Sequence, residues 1–229
     1  MKYQIFGTVM PMIEIELQRG ETVYSQSGAM QWMDEAILMQ TEMRGGFLGA
    51  MKRTFTGESM FVVNFTAERD GAKVAFGHTY PGQILTFDLT DKALICQQRS
   101  FLCASTTIDY DLYFQKRLGV GFFGGEGFIM QKFRGSGLLV IEMDGEVVEK
   151  ELAPGERIRV STGSVGAFEE SVTMDIQPVR GFKNMFLGGE GLFLTTLTGP
   201  GRVWLQTMPV QDMVGEISKY LPKSVRSND

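Results

Sequence analysis

Apolar and polar residues alternate along most of this chain in short runs broken by glycine, a period of two that predicts strands. MIEIEL at residues 12–17 sets Ile13, Ile15 and Leu17 on one face and Glu14 and Glu16 on the other, then turns at Arg19-Gly20-Glu21. The element recurs as VVEKEL followed by APGE at 147–156, and more loosely as KVAFGHTYPGQ at 73–83, so Gly20, Gly82 and Gly155 are expected to mark equivalent turns. Gly28 and Gly163 keep the spacing of Gly20 and Gly155, 135 residues. Asp70-Gly71 and Asp144-Gly145, each between apolar runs, predict tight hairpin turns, because glycine tolerates the positive φ such turns need. One segment leaves this period. VQDMVGEISKYL places Val210, Met213, Val214, Ile217 and Leu221 at helical spacing with Pro222 as a stop, and predicts an amphipathic helix that caps the β core or docks on a neighbouring subunit.

The glycine-rich runs are themselves periodic. FFGGEGFIMQKFRGSG at 122–137 and FLGGEGLFLTTLTGPG at 186–201 align so that Gly125 and Gly189 lie 64 residues apart, as do Gly135 and Gly199. A weaker copy, GGFLGAMKRTFTGES at 45–59, brings Phe55, Phe133 and Leu197 into register. The pattern predicts an all-β fold of three tandem β repeats, residues 1–71, 72–145 and 146–209, in a pseudo-threefold arrangement, followed by a C-terminal helix and tail, 210–229. The second repeat carries the longest insertion, around 88–117. Within FRGSGL and LTGPGR the glycines read as hairpin turns, placing equivalent hairpins at 55–60, 133–138 and 197–202. Gly124, Gly125 and Gly127, like Gly188, Gly189 and Gly191, suit a bulge or a close backbone approach.

Charge and composition narrow the function. The net charge of −5 lacks the basic footprint of a phosphate-bound nucleic-acid partner, so no nucleic acid is expected. Two cysteines are too few for a secreted disulfide framework, and residues 1–20 carry no basic region followed by an apolar run; the chain reads as cytoplasmic. No run of 18 apolar residues occurs, which leaves only peripheral membrane contact. A phosphate loop would need glycines entering a helix and a Gly-Lys-Ser/Thr end, and neither is present. No cofactor is implied.

Glu126 and Glu190 accept neighbouring amide hydrogens or pair with Arg134 and Arg202 in the first reading, and bind a ligand in the second; the first repeat has Leu48 there. Gly125, Glu126, Gly127, Gly189, Glu190 and Gly191, with Phe123 and Phe186, are therefore the candidate ligand or interface residues. Phe122, Phe123, Phe186 and Leu187 either pack under their turns or form an apolar edge for a second copy. His78, the single histidine, sits in FGHTYPG at a strand end; it reads first as structural and second as catalytic or ligand-binding, and it cannot build a multi-histidine metal site alone. Cys96 and Cys103, separated by QQRSFL, read as small half-buried residues. Asp109 and Asp111 share a strand face, solvated or weakly binding a divalent cation.

Taken together, the repeated GGEG segments, the RGE and PGE turns and the scarcity of helix resemble the altered-inheritance-of-mitochondria type family over residues 1–209, in the tryptophan RNA-binding attenuation protein-like (TRAP-like) superfamily. The resemblance implies a β-sandwich or double-stranded β-helix of TRAP-like repeats, often assembled into oligomers, with no established reaction for bacterial members. Eukaryotic relatives are linked to mitochondrial inner-membrane organisation and respiratory assembly. No catalytic set carries over. The attenuation protein's repeated basic triplets have no counterpart here, since Lys52-Arg53 and Lys116-Arg117 fall at different places in the unit. The function expected is a non-enzymatic homo-oligomeric scaffold or binding module, against a small-molecule-binding or enzymatic β protein with a cleft between repeats, and against RNA binding.

Overall fold

The computed structural model describes residues 1–43, 61–77, 80–116, 127–178, 193–218 and 220. These form antiparallel strands, two short 3-10 helices (Gln98–Ser100 and Thr162–Ser164) and one α-helix, α1 (Val210–Ser218). An N-terminal strand, β1 (Lys2–Phe6), pairs with β2 (Met12–Leu17) along one edge. β3 (Thr22–Gln26), β4 (Met30–Met33), β5 (Ile37–Met43), β6 (Phe61–Ala67) and β7 (Ala72–Gly77) follow. β7 lies between β2 and β4, and β6 between β3 and β5. At the other end of the chain, β12 (Val147–Leu152), β13 (Arg157–Ser161), β14 (Val165–Glu169), β15 (Thr173–Pro178), β16 (Phe193–Thr198) and β17 (Gly201–Gln206) are wired in the same way. β17 lies between β12 and β14, and β16 between β13 and β15.

The middle of the chain keeps this wiring with longer strands. β8 (Gly82–Gln97) pairs along its whole length with β11 (Phe128–Asp144), from Met130 onward. β9 (Phe101–Ser105) adds to the second half of β11 and β10 (Ile108–Lys116) to its first half. Even the irregularities correspond. The strands β4, β9 and β14 each skip one residue of their ladder, at Gln31, Leu102 and Gly166. Two short ladders join the sets. β3 meets β9 through Val23↔Ser105, Tyr24↔Ala104 and Ser25↔Cys103, and β8 meets β14 through Leu94↔Glu169, Ile95↔Phe168 and Cys96↔Ala167.

The alternation read in MIEIEL is the burial pattern of β2. Ile13, Ile15 and Leu17 are fully buried, each contributing roughly 1.5–3 kcal/mol, while Glu14 reaches outward to Lys73 Nζ at 2.6 Å. The helix starts where expected, with the Val210 amide donating to Asp144 Oδ2 at 3.0 Å, and ends at Ser218. Val210 is buried, but Val214 and Ile217 are exposed, so only the first turn caps the β core.

Several turn assignments are corrected. Gly71 and Gly145 do take positive φ, 70° and 74°, but they link β6 to β7 and β11 to β12, strands that do not pair with each other. FRGSGL is no turn at all, since Gly135 lies inside β11 at a register shift. LTGPGR does turn, yet its strands, β16 and β17, belong to different ladders. A positive-φ glycine reverses or steps the chain; it does not decide which strand the next one pairs with. Gly82 opens β8 and is not the equivalent of Gly20 and Gly155. That conformation falls instead on Asp91, with φ of 52° against 83° and 77°, skipped in the β8 ladder opposite Gly135 and Ser136. Aspartate is among the few side chains that tolerate it. β7, placed by sequence at the start of a second unit, pairs with β2 and β4.

Gly135 cannot carry a side chain. Its φ is 131°, and a Cβ would lie 2.2 Å from the Thr107 carbonyl oxygen. Gly135→Ala is expected to cost about 2–4 kcal/mol in urea unfolding, from strain plus a backbone clash. Gly20→Ala, strained in φ but in open space, should cost only about 1–2 kcal/mol.

Candidate functional site

Aromatic side chains cluster at both ladders between strand sets, and a group of charged side chains at the second. At the first, Tyr24 is fully buried and its hydroxyl donates to the Ile108 carbonyl at 2.9 Å. Its ring meets Phe101 at 5.3 Å; Phe101 stacks on Phe133 at 5.2 Å, and Tyr110 closes the group 5.6 Å from Phe133. Ser25 Oγ donates to the Leu102 carbonyl at 2.8 Å. This junction is closed and apolar, a binding surface already filled by the chain itself.

At the second, Phe87 packs edge-on against Trp204 at 5.1 Å, and Trp204 Nε1 donates to Glu149 Oε2 at 2.9 Å. The Arg202 guanidinium lies 5.2 Å from the Trp204 ring centroid and donates to Glu169 Oε1 through Nε and Nη2 at 2.9 and 2.8 Å, while its amide donates to Oε2 at 3.0 Å. Burial pushes the Glu169 carboxyl up, but these hydrogen bonds and the Arg202 charge outweigh it and hold the group below the usual value. An open groove of about 720 Å³ runs beside these residues, lined also by Asp88, Lys92 and Glu170. A shallower groove of about 410 Å³ adjoins it at Asp109, Lys132 and Arg134. Two of its cations are engaged, Lys132 with Glu170 and Arg134 with Asp111. The described residues contain no cluster of three His, Cys, Asp or Glu side chains placed to hold a metal ion.

Of the candidate residues read from sequence, Gly127 is described: it takes φ of 87° immediately before β11, the conformation that favours glycine. Phe123, Gly125, Glu126, Phe186, Gly189, Glu190 and Gly191 lie outside the described residues, as do Phe122, Leu187 and His78. Arg134 and Arg202, named as partners for the GGEG carboxylates, are held by Asp111 and Glu169. Cys96 and Cys103 are fully buried rather than half-buried, because β8 and β9 each have a strand on both sides. Burial pushes both thiols up, with the Glu142 charge adding to the effect at Cys103. Sequence reasoning missed the Trp204, Arg202 and Glu169 group. Arg202 and Glu169 are 33 residues apart, and only the β14–β17 ladder brings them together.

A family model described as "Mitochondrial biogenesis AIM24" matches residues 3–208. The chain belongs to that family. A protein of Streptococcus pyogenes serotype M6, M6_Spy0233, is 30% identical over 223 residues, covering 93% of this chain and 88% of that one. The crystal structure of SPYM3_0169, also from Streptococcus pyogenes, superposes with a TM-score of 0.77 at 26% identity, covering 96% of this chain and 99% of that one. The AIM24 fold thus runs through all three strand sets, and no described helix is long and apolar enough to cross a membrane.

One buried carboxyl should mark the pH dependence of the fold. Glu142 on β11 is only 7% exposed, and burial, reinforced by Asp144, pushes it up to about 8. Its proton is retained in the folded chain and lost in the unfolded chain between the ordinary carboxylate range and pH 8. Stability should therefore fall as pH rises through that interval, by about 1.4 kcal/mol per unit for this one group. Urea midpoints at pH 5, 6.5 and 8 should decline for the native sequence and flatten for Glu142→Gln.

Proposed function

We propose that this AIM24 family member is a non-enzymatic, homo-oligomeric scaffold or binding module built from three tandem repeats, acting in the cytoplasm. The supporting observation is a contrast in exposure between equivalent strands. β9 and β14, each covered by the neighbouring set, are buried almost throughout, whereas β4, which has the same wiring and the same skipped residue, is exposed or half-exposed. A scaffold leaves such a surface for another chain. Exposed apolar side chains on β1, Tyr3, Ile5 and Phe6, add to the free surface. The two buried free thiols suit a reducing compartment.

A second reading, a small-molecule-binding or enzymatic β protein, draws on the groove beside Trp204 and Arg202. The scaffold is favoured because the charged residues around Trp204 are engaged with one another.

Light scattering on the purified protein across a concentration series tests the scaffold. The expected mass is a multiple of the 25.5 kDa chain. A monomer at every concentration that carries a small molecule in native mass spectrometry would favour the second reading instead. Filter binding with RNA at moderate salt should give no retention, since the net charge of −5 offers little counterion release. Tight retention that weakens steeply with salt would overturn that part.

A further inference from the structure

The junctions inside the chain define what is missing at its ends. In each, the second strand of one set pairs with the third strand of the next: β3 with β9, then β8 with β14. Repeating the rule once more leaves β13 without a following set and β4 without a preceding one. Both are edge strands, β13 of the three-stranded sheet and β4 of the four-stranded sheet, and no ladder joins them to each other.

We infer that β13 of one copy pairs antiparallel with β4 of a second copy, extending the internal row head to tail. This rests on the scaffold function proposed above and names the surface that carries it. The register is set by the wiring. Val23↔Ser105 and Leu94↔Glu169 correspond to Ile158↔Asp34, which places Arg159 opposite Met33, Val160 opposite Trp32, and Arg157 opposite Glu35.

Three features of the two edges fit that register. First, positions that the internal junctions bury lie open at β4 and beside it. Trp32 is 39% exposed where its counterpart Cys103 is 0%, and Met39 on β5 is 49% exposed where its counterpart Tyr110 packs into the ring group around Phe133. Second, both edges are anchored strands, with Ile158 and Val160 half-buried against the core of the third set and Met30 and Met33 against that of the first. Third, the charges are complementary only between unlike edges. β13 presents exposed Arg157 and Arg159, and exposed Glu35 follows β4. Two β13 strands side by side would oppose arginines, which disfavours like-with-like pairing. A contact between different surfaces of the same chain is heterologous, and it propagates into a ring or a row.

The test uses two full-length variants, Glu35→Cys and Arg157→Cys, mixed and mildly oxidised; the native thiols are buried. Directly opposed residues lie within disulfide reach. Most of the mixed chains are expected to form a reducible 35–157 heterodimer, and each variant alone should give far less. In parallel, Arg157→Glu should lower the average mass in light scattering, and mixing it with Glu35→Arg should restore assembly. An oligomer that gives no 35–157 linkage, and whose mass Arg157→Glu leaves unchanged, would overturn the edge assignment while leaving the scaffold standing. A disulfide confined within one chain in a Glu35→Cys/Arg157→Cys double variant would show that the row closes on itself and would also overturn it. A monomer at all concentrations would remove both.

Discussion

The ladder between β8 and β11, unbroken in direction from Met130↔Gln97 to Asp144↔Gly82, is the constraint on which the remaining sheets depend. Its two strands stand at the centre of the ten-stranded sheet, each with a further strand on its other side. β8 carries β14 and through it the third set, while β11 carries β9 and through it the first. Antiparallel pairing over that length must absorb the right-handed twist of the strands. The ladder steps at one point, where Asp91 takes a left-handed conformation opposite Gly135 and Ser136. The close approach of the Thr107 carbonyl to Gly135 is the local consequence.

From that spine the chemistry of the junctions follows. Each short inter-set ladder is too brief to hold by backbone hydrogen bonds alone, and each is backed by rings. Tyr24, Phe101, Tyr110 and Phe133 back the first, and Phe87 with Trp204 the second. Aromatic pairs of this kind add about 0.5–1.5 kcal/mol beyond the area they bury. The second junction differs in its charged rim of Arg202, Glu169 and Glu149, which is partly exposed and screened by solvent. Its contribution is to orientation more than to stability.

Much of this fold was legible in the residues. The period-two runs named the strands, Ile13, Ile15 and Leu17 were correctly placed inside, and the helical spacing of Val210, Met213 and Val214 marked the one α-helix described. Strand pairing was not legible, for a physical reason. Asp70-Gly71, Asp144-Gly145 and Gly199 specify local backbone conformation, whereas the partner of the next strand is chosen by burial across the sheets. The merging of two short strands into β8 hid the step at Asp91, because an aspartate stands where the other sets have glycine. Of the sequence-derived site, Gly127 alone falls among the described residues, and the Trp204 group was invisible to local pattern because its members come from different strands.

The claim that organises these observations is that one junction rule operates inside the chain and between chains. Hydrogen exchange followed amide by amide as a function of protein concentration tests it most directly. β9 and β14 should be protected at every concentration. β4 and β13 should exchange at edge-strand rates in dilute solution and become protected together as concentration rises. Equal, concentration-independent exchange at β4 and β13, with an assembled mass maintained through another surface, would contradict it.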